Sequence, residues 1–233
     1  LYIILKIYIN SIGRLAYILS KRYASFHTKA IHFMEWNLQN KEPSSYKHEI
    51  NLYNWMYDPS QNQFVDGGVF GRMIITENDK VLDLCCGDGS YAYLFFCDIS
   101  KKVDAVDYDM DSIKYAKKNF YNSKINYICK DLLSFTFKKD YYNVIIWKAG
   151  VAYFSKENRK ILYKKIFISL KDDAKLYIST PVEDSINYGA NQVEVITNLN
   201  SFEAEFNELF IITLKQKIIH RNRINIHYIL EKR

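Results

Sequence analysis

Asp83, Gly87, Gly89, Asp107 and Asp131 are of the types and spacing that hold a small polar ligand. Val81-Leu82-Asp83-Leu84-Cys85-Cys86-Gly87-Asp88-Gly89-Ser90 runs from an apolar strand pattern into a glycine turn and then a helix. Gly87 and Gly89 permit backbone angles and a close approach that a Cβ would block. Val103-Asp104-Ala105-Val106-Asp107 ends in an acid 18 residues after Gly89. A carboxylate at such a strand end can accept both ribose hydroxyls of a nucleoside. Ile125 to Leu132 brings a third acid, Asp131, to a third strand end, where it can accept from an exocyclic amine of adenine.

Electrostatics narrows the ligand. Gly87-x-Gly89-x-x-Ala92 also satisfies the dinucleotide fingerprint. A pyrophosphate, however, needs donors at this turn, and Asp83 and Asp88 offer carboxylates. The turn suits a ligand without phosphate and with a positive centre. S-adenosylmethionine, with its sulfonium and ammonium, fits; Asp83 would face the ammonium.

These acids need a sheet to position them. Short apolar runs at Lys80–Leu84, Val103–Asp107, Ile125–Cys129, Asn143–Trp147 and Lys175–Ser179 alternate with helix-like stretches such as Ser155–Leu170. That alternation predicts βαβ units and a mostly parallel sheet. Asn200, with Glu203 three residues on, reads as the N-cap of a late helix. Two strands follow, Phe210–Ile218 and Ile224–Leu230, around the turn His220-Arg221-Asn222-Arg223, so one of them runs antiparallel to the rest. The expected fold is α/β: a doubly wound, seven-stranded, mostly parallel sheet with a C-terminal antiparallel hairpin. Residues 1–72 read as a helical extension or lid and residues 73–233 as the sheet domain. Gly67, Gly68 and Gly71 read as a flexible joint between them, and Asp58-Pro59 as the end of a helical stretch Tyr46–Tyr57.

The 233 residues, 48% apolar and 25% charged, exclude disordered and low-complexity classes and suffice for a full core. The four cysteines form no C-x-x-C pair, which argues against a disulfide framework or zinc site and for a reducing compartment. No metal is expected. The net charge of +6 is modest for this length. Leu1 to Leu19 is apolar but broken by Lys6, Asn10, Ser11 and Arg14, so it reads as a packed or surface-lying helix rather than a span. Peripheral contact with the inner face of a membrane is one reading of that basic helix; the expected location is cytoplasmic.

Asp83-x-x-Cys86-Gly87-x-Gly89, then Asp107, then Asp131, resembles the class I S-adenosylmethionine-dependent methyltransferases over roughly residues 73–233. The resemblance implies cofactor contacts from Asp83, Cys85, Gly87, Gly89, Asp107, Tyr108, Asp131, Leu132 and Lys148, with Arg72 a candidate for the cofactor carboxylate. Cys85 departs from the usual glycine; both adjacent cysteines read as small packing residues. The fourth strand end, Trp147-Lys148-Ala149-Gly150, lacks the Asn-Pro-Pro-Tyr type sequence of many nucleic-acid and protein amine methylators. The whole chain more distantly resembles methyltransferases encoded among bacterial surface-glycan genes. This implies a small-molecule acceptor, an O or N atom of a sugar or phosphate-type precursor, and polysaccharide modification.

A hydroxyl acceptor needs a base. His48, in an aromatic segment placed to close over the cofactor, and Tyr153 are the candidates; His220 and His227 read as structural or peripheral. Two other functions compete. One is an RNA or DNA methyltransferase using the basic hairpin Lys215, Lys217, Arg221 and Arg223. The other is a binding module on the same fold without catalysis.

Overall fold

The computed structural model describes residues 59–182, 194, 196–220 and 223–233. The whole of the described sheet lies in one compact unit of the chain. The described elements run in order: α1 (Pro59–Arg72), β1 (Lys80–Leu84), a π-helical segment (Ala92–Phe96), β2 (Lys102–Asp107) and α2 (Met110–Asn119). Then come β3 (Ile125–Cys129), β4 (Tyr142–Lys148), a 3₁₀ turn (Val151–Tyr153), α3 (Lys156–Ser169) and β5 (Leu170–Val182). A short α4 (Leu199–Glu203) and the strands β6 (Phe210–His220) and β7 (Arg223–Lys232) complete it.

The seven strands form one sheet in the order β3-β2-β1-β4-β5-β7-β6. β1 to β5 pair in parallel, while β7 lies antiparallel to both β5 and β6. The sheet is apolar on both faces, as a parallel sheet covered by helices must be. Alternate residues feed two cores: Leu82, Val106, Ile145 and Trp147 pack with α3 on one side. Val81, Ala105, Ile146 and Tyr177 pack with the π-helical segment and α2 on the other. Consecutive residues of a strand point to opposite faces, so four-residue runs such as Val144–Trp147 serve both.

Two expectations about chain direction are corrected. Gly67, Gly68 and Gly71 are not a joint; they lie inside α1, which runs from Pro59 to Arg72. Proline is compatible with a first helical turn, where its missing N–H has no partner to lose. The glycines serve packing: a Cβ at Gly68 would lie 2.5 Å from the Phe95 ring, and one at Gly71 2.9 Å from Phe96. The late helix is capped by Asn198, not Asn200; its side chain accepts from the Ser201 backbone N–H at 3.0 Å. Asn198 and Asn200 are equally good caps by type, and packing of the fully buried Phe202 and Phe206 selects between them.

Candidate functional site

The glycine turn, the β2 turn and the end of β4 meet at the carboxyl edge of the sheet. Register fixes this: Asp83 lies opposite Ala105 on one side and Ile146 on the other. After Leu84 the chain turns sharply, with positive φ at Cys85 (58°), Gly87 (54°) and Gly89 (77°). Left-handed backbone is cheap for glycine and costly for Cys85, so Cys85 carries strain at the turn. A Cβ on Gly87 would meet no atom within 4 Å, so its side of the turn is open to a ligand. At Gly89 a Cβ would collide with the Tyr127 ring and with Ala116 of α2.

Asp107 joins the two turns. Its Oδ2 accepts from the Gly87 N–H and its Oδ1 from the Asp109 N–H, both at 2.9 Å. Burial pushes its carboxyl up, while these N–H donors oppose that shift. Each oxygen keeps a further lone pair, the arrangement that a pair of ribose hydroxyls requires. Asp83 is 3% exposed, and among the described residues nothing donates to its Oδ2. Burial raises its carboxyl to about 8, against the field of Lys148 and with that of Asp107 and Asp88. An orphaned buried carboxyl oxygen is a costly feature that an incoming ammonium would satisfy.

Other expected contacts are placed as follows. Asp131 is exposed at the end of β3, and its Oδ1 accepts from the Leu133 N–H. Tyr108 is 75% exposed beside Asp107, and Leu132 is buried in the core next to Asp131. Lys148 ends β4 with its ammonium 4.1 Å from the Tyr91 ring centre. Its stem lies against Gly67, where a Cβ would collide with it.

The remaining candidates stand apart from this edge or at its margin. Arg72 does not reach the site. It pairs with Asp98 at 2.6 Å and donates to the Phe95 carbonyl. Lys124, at the foot of β3, donates to the Asp98 carbonyl, which places that group at the amino edge. Asp88, the other acid of the turn, accepts at its Oδ1 from the Ser90 N–H and hydroxyl. On the hairpin, Lys215 pairs with Glu203 at 2.6 Å. His48, the Tyr46–Tyr57 segment, the Leu1–Leu19 helix and Arg221 lie outside the described residues. Tyr153 is half exposed on the 3₁₀ turn after β4.

Sequence alone did not single out Tyr91, whose ring lies under the Lys148 ammonium, Asp66, which acts on Tyr91 and Tyr177, or the Tyr177–His227 pair. Tyr177 and His227 are 2.8 Å apart in space and 50 residues apart in the chain. No local pattern announces such a pair.

Comparison with known proteins now adds to this geometry. Residues 81–173, from the start of β1 into β5, match the family described as "Methyltransferase domain". The chain carries a class I S-adenosylmethionine-dependent methyltransferase domain. Solved structures share the fold of this methyltransferase. A putative S-adenosylmethionine-dependent methyltransferase from Listeria monocytogenes is 16% identical, with a TM-score of 0.59 over 72% of this chain and 99% of that one. The N-methyltransferase NodS from Bradyrhizobium japonicum WM9, in complex with S-adenosyl-L-homocysteine, is 10% identical. Its TM-score is 0.66 over 88% of this chain and 98% of NodS. A methyltransferase from Methanosarcina mazei is 15% identical, with a TM-score of 0.56 over 69% and 95%. No curated protein matches the chain. S-adenosylmethionine is the cofactor, and the enzyme is a methyltransferase. Among the described residues no helix is long and apolar enough to cross a membrane, and no group of His, Cys, Asp or Glu is arranged to hold a metal ion.

Proposed function

We propose that this methyltransferase acts on a small-molecule acceptor, at an O or N atom of a sugar or phosphate-type compound. The observation that carries the reading is the cradle at the carboxyl edge. Gly87 is open on its ligand side, Asp107 bridges two turns with lone pairs to spare, and Asp83 presents an orphaned buried oxygen. In this reading Asp107 accepts from the ribose, Asp83 faces the ammonium, and Asp131 with Leu132 borders the adenine. The bound cofactor supplies an already activated methyl group. The chain supplies orientation and dryness, with Cys85 and Tyr108 flanking the nucleoside and Lys148 closing the end of β4.

The small acceptor is supported by the sequence at the end of β4, which lacks the aromatic platform motif of nucleic-acid amine methylators. It is also supported by α1, which roofs that end of the sheet through Gly67 and Phe70. The sugar or phosphate-type acceptor rests on the surface-glycan resemblance and accords with the charge of +6. The test is mass spectrometry of products after incubation with S-adenosylmethionine and panels of sugars, sugar phosphates and small amines. A gain of one methyl on a member of the panel is expected. Methylation of RNA or DNA alone would refute the small acceptor.

A further inference from the structure

Beside the cofactor cradle, β4, β5 and β7 bring a second set of polar side chains to the carboxyl edge. Lys148 pairs in register with Ser179, and Ser179 with His227. Directly paired residues share a face, so these three side chains form a row under α1. Tyr177 precedes Ser179 by two residues on the same face, and its hydroxyl is 2.8 Å from His227 Nδ1. The Ser179 hydroxyl faces the Tyr177 oxygen and favours its ionised form, although burial dominates and keeps Tyr177 a neutral phenol.

All three are buried: Ser179 is 5%, Tyr177 0% and His227 3% exposed. Phe70 of α1 stacks on His227 with ring centres 4.6 Å apart. Among the described residues, Asp66 of α1, which acts on Tyr177 and Tyr91, and Gln216 of β6, paired with His227, also face this chain. Lys148, the in-register neighbour of Ser179, also acts on Asp83. The serine end of the chain therefore adjoins the ammonium end of the cofactor cradle.

We propose that Ser179, Tyr177 and His227 form a proton relay that accepts the proton of a hydroxyl acceptor, with His227 Nδ1 as its final holder. This rests on the small-molecule methyltransferase reading and narrows it to oxygen acceptors. The acceptor oxygen gains the methyl carbon as its bond to hydrogen breaks, and the carbon–sulfur electron pair stays on sulfur. The acceptor proton passes to Ser179 Oγ, the Ser179 proton to the Tyr177 oxygen, and the Tyr177 proton to His227 Nδ1. The positive charge of the sulfonium is thereby replaced by an imidazolium. An amine acceptor with a neutral lone pair would need no such chain. Ser179 is the residue that touches the acceptor; Tyr177 and His227 act through it.

Two measurements test the relay. In the protein labelled with nitrogen-15 histidine, His227 is identified by its loss in His227→Gln. The relay requires the tautomer with hydrogen on Nε2 and Nδ1 accepting from Tyr177. The opposite tautomer, with Nδ1–H donating to Tyr177, overturns it without any acceptor being needed. The second measurement uses phenol, catechol and glucose as hydroxyl probes and aniline and glucosamine as amine probes. Wild type should methylate a hydroxyl, with kcat falling below the His227 ionisation. Tyr177→Phe and His227→Gln should lower kcat at least about tenfold and remove that acid limb. S-adenosylhomocysteine affinity and melting temperature should stay close to wild type. Methylation at nitrogen only, no methylation of any probe, or unchanged kcat and pH profile in both variants overturns the relay. Failure of the wild type to bind S-adenosylhomocysteine would instead refute the methyltransferase reading beneath it.

Discussion

Asp83 and Asp107 are told apart by their surroundings, not by their type. Both are buried, but Asp107 has two N–H donors while Asp83 keeps an orphaned oxygen. Asp107→Ala should weaken S-adenosylhomocysteine by about 1–3 kcal/mol, read by calorimetry. Asp83 carries a pH dependence. Its carboxyl is raised to about 8, so the folded protein without ligand keeps a proton that the unfolded chain releases near 4. Stability from this group is therefore present at low pH and is lost as pH rises from about 4 to about 8. An ammonium ligand favours the ionised form, so binding expels the proton. Affinity should rise between about pH 6 and 7.5, by at most about tenfold per pH unit, and Asp83→Asn should flatten that rise. Calorimetry in buffers of different ionisation enthalpy would count the released proton directly. Both acids were legible in the sequence, because strand ends and glycine turns announce themselves. Arg72 was not: its partner Asp98 is 26 residues away, and only the packed structure shows that the pair stands at the opposite edge.

At the scale of elements, strands were easier to read than the helix before them. β1 falls where its apolar run placed it, because a strand buried on both faces is a nearly uninterrupted apolar run; β3, an edge strand with Asn126 exposed, also keeps the bounds of its run. Glycine-rich α1 read as a joint because propensity counts three glycines against a helix and cannot see what they lie against. The sheet and the π-helical segment reverse that preference by demanding close approach at Gly67, Gly68 and Gly71. This gives a prediction of sign. Glycine to alanine in an ordinary helix stabilises by about 0.5–1 kcal/mol. Gly68→Ala should instead destabilise by about 1 kcal/mol net, because forcing a methyl into the Phe95 ring costs about 1–3 kcal/mol. Urea unfolding of the variant decides between the two.

Across the whole molecule, one buried ion pair ties distant parts of the chain together. Arg159 of α3 is fully buried and holds Glu205 through two 2.7 Å bonds, with a third bond to the Phe154 carbonyl. Its NH1 also pairs with Glu194 at 3.1 Å. Removing Glu205 takes away both 2.7 Å bonds of the buried guanidinium and leaves it only the half-exposed Glu194 as a carboxylate partner, so Glu205→Ala should cost about 3 kcal/mol in denaturant unfolding. The double variant Arg159→Met, Glu205→Leu should recover most of that loss, since apolar groups of similar size need no compensation. Composition could not reveal this pair, whose members lie 46 residues apart. The strand order has its own consequence for how the molecule is made. β7 sits between β5 and β6, although it follows both in the chain. Until Arg223–Lys232 inserts, β6 has no partner and β5 is paired only on its β4 side, so the half-finished sheet shows other chains two adhesive borders. Closing the sheet requires joining segments far apart in sequence, a slow step by the entropy of loop closure. During synthesis this places the enzyme's most dangerous moment late, when nearly all of the sheet exists and its closing strand does not.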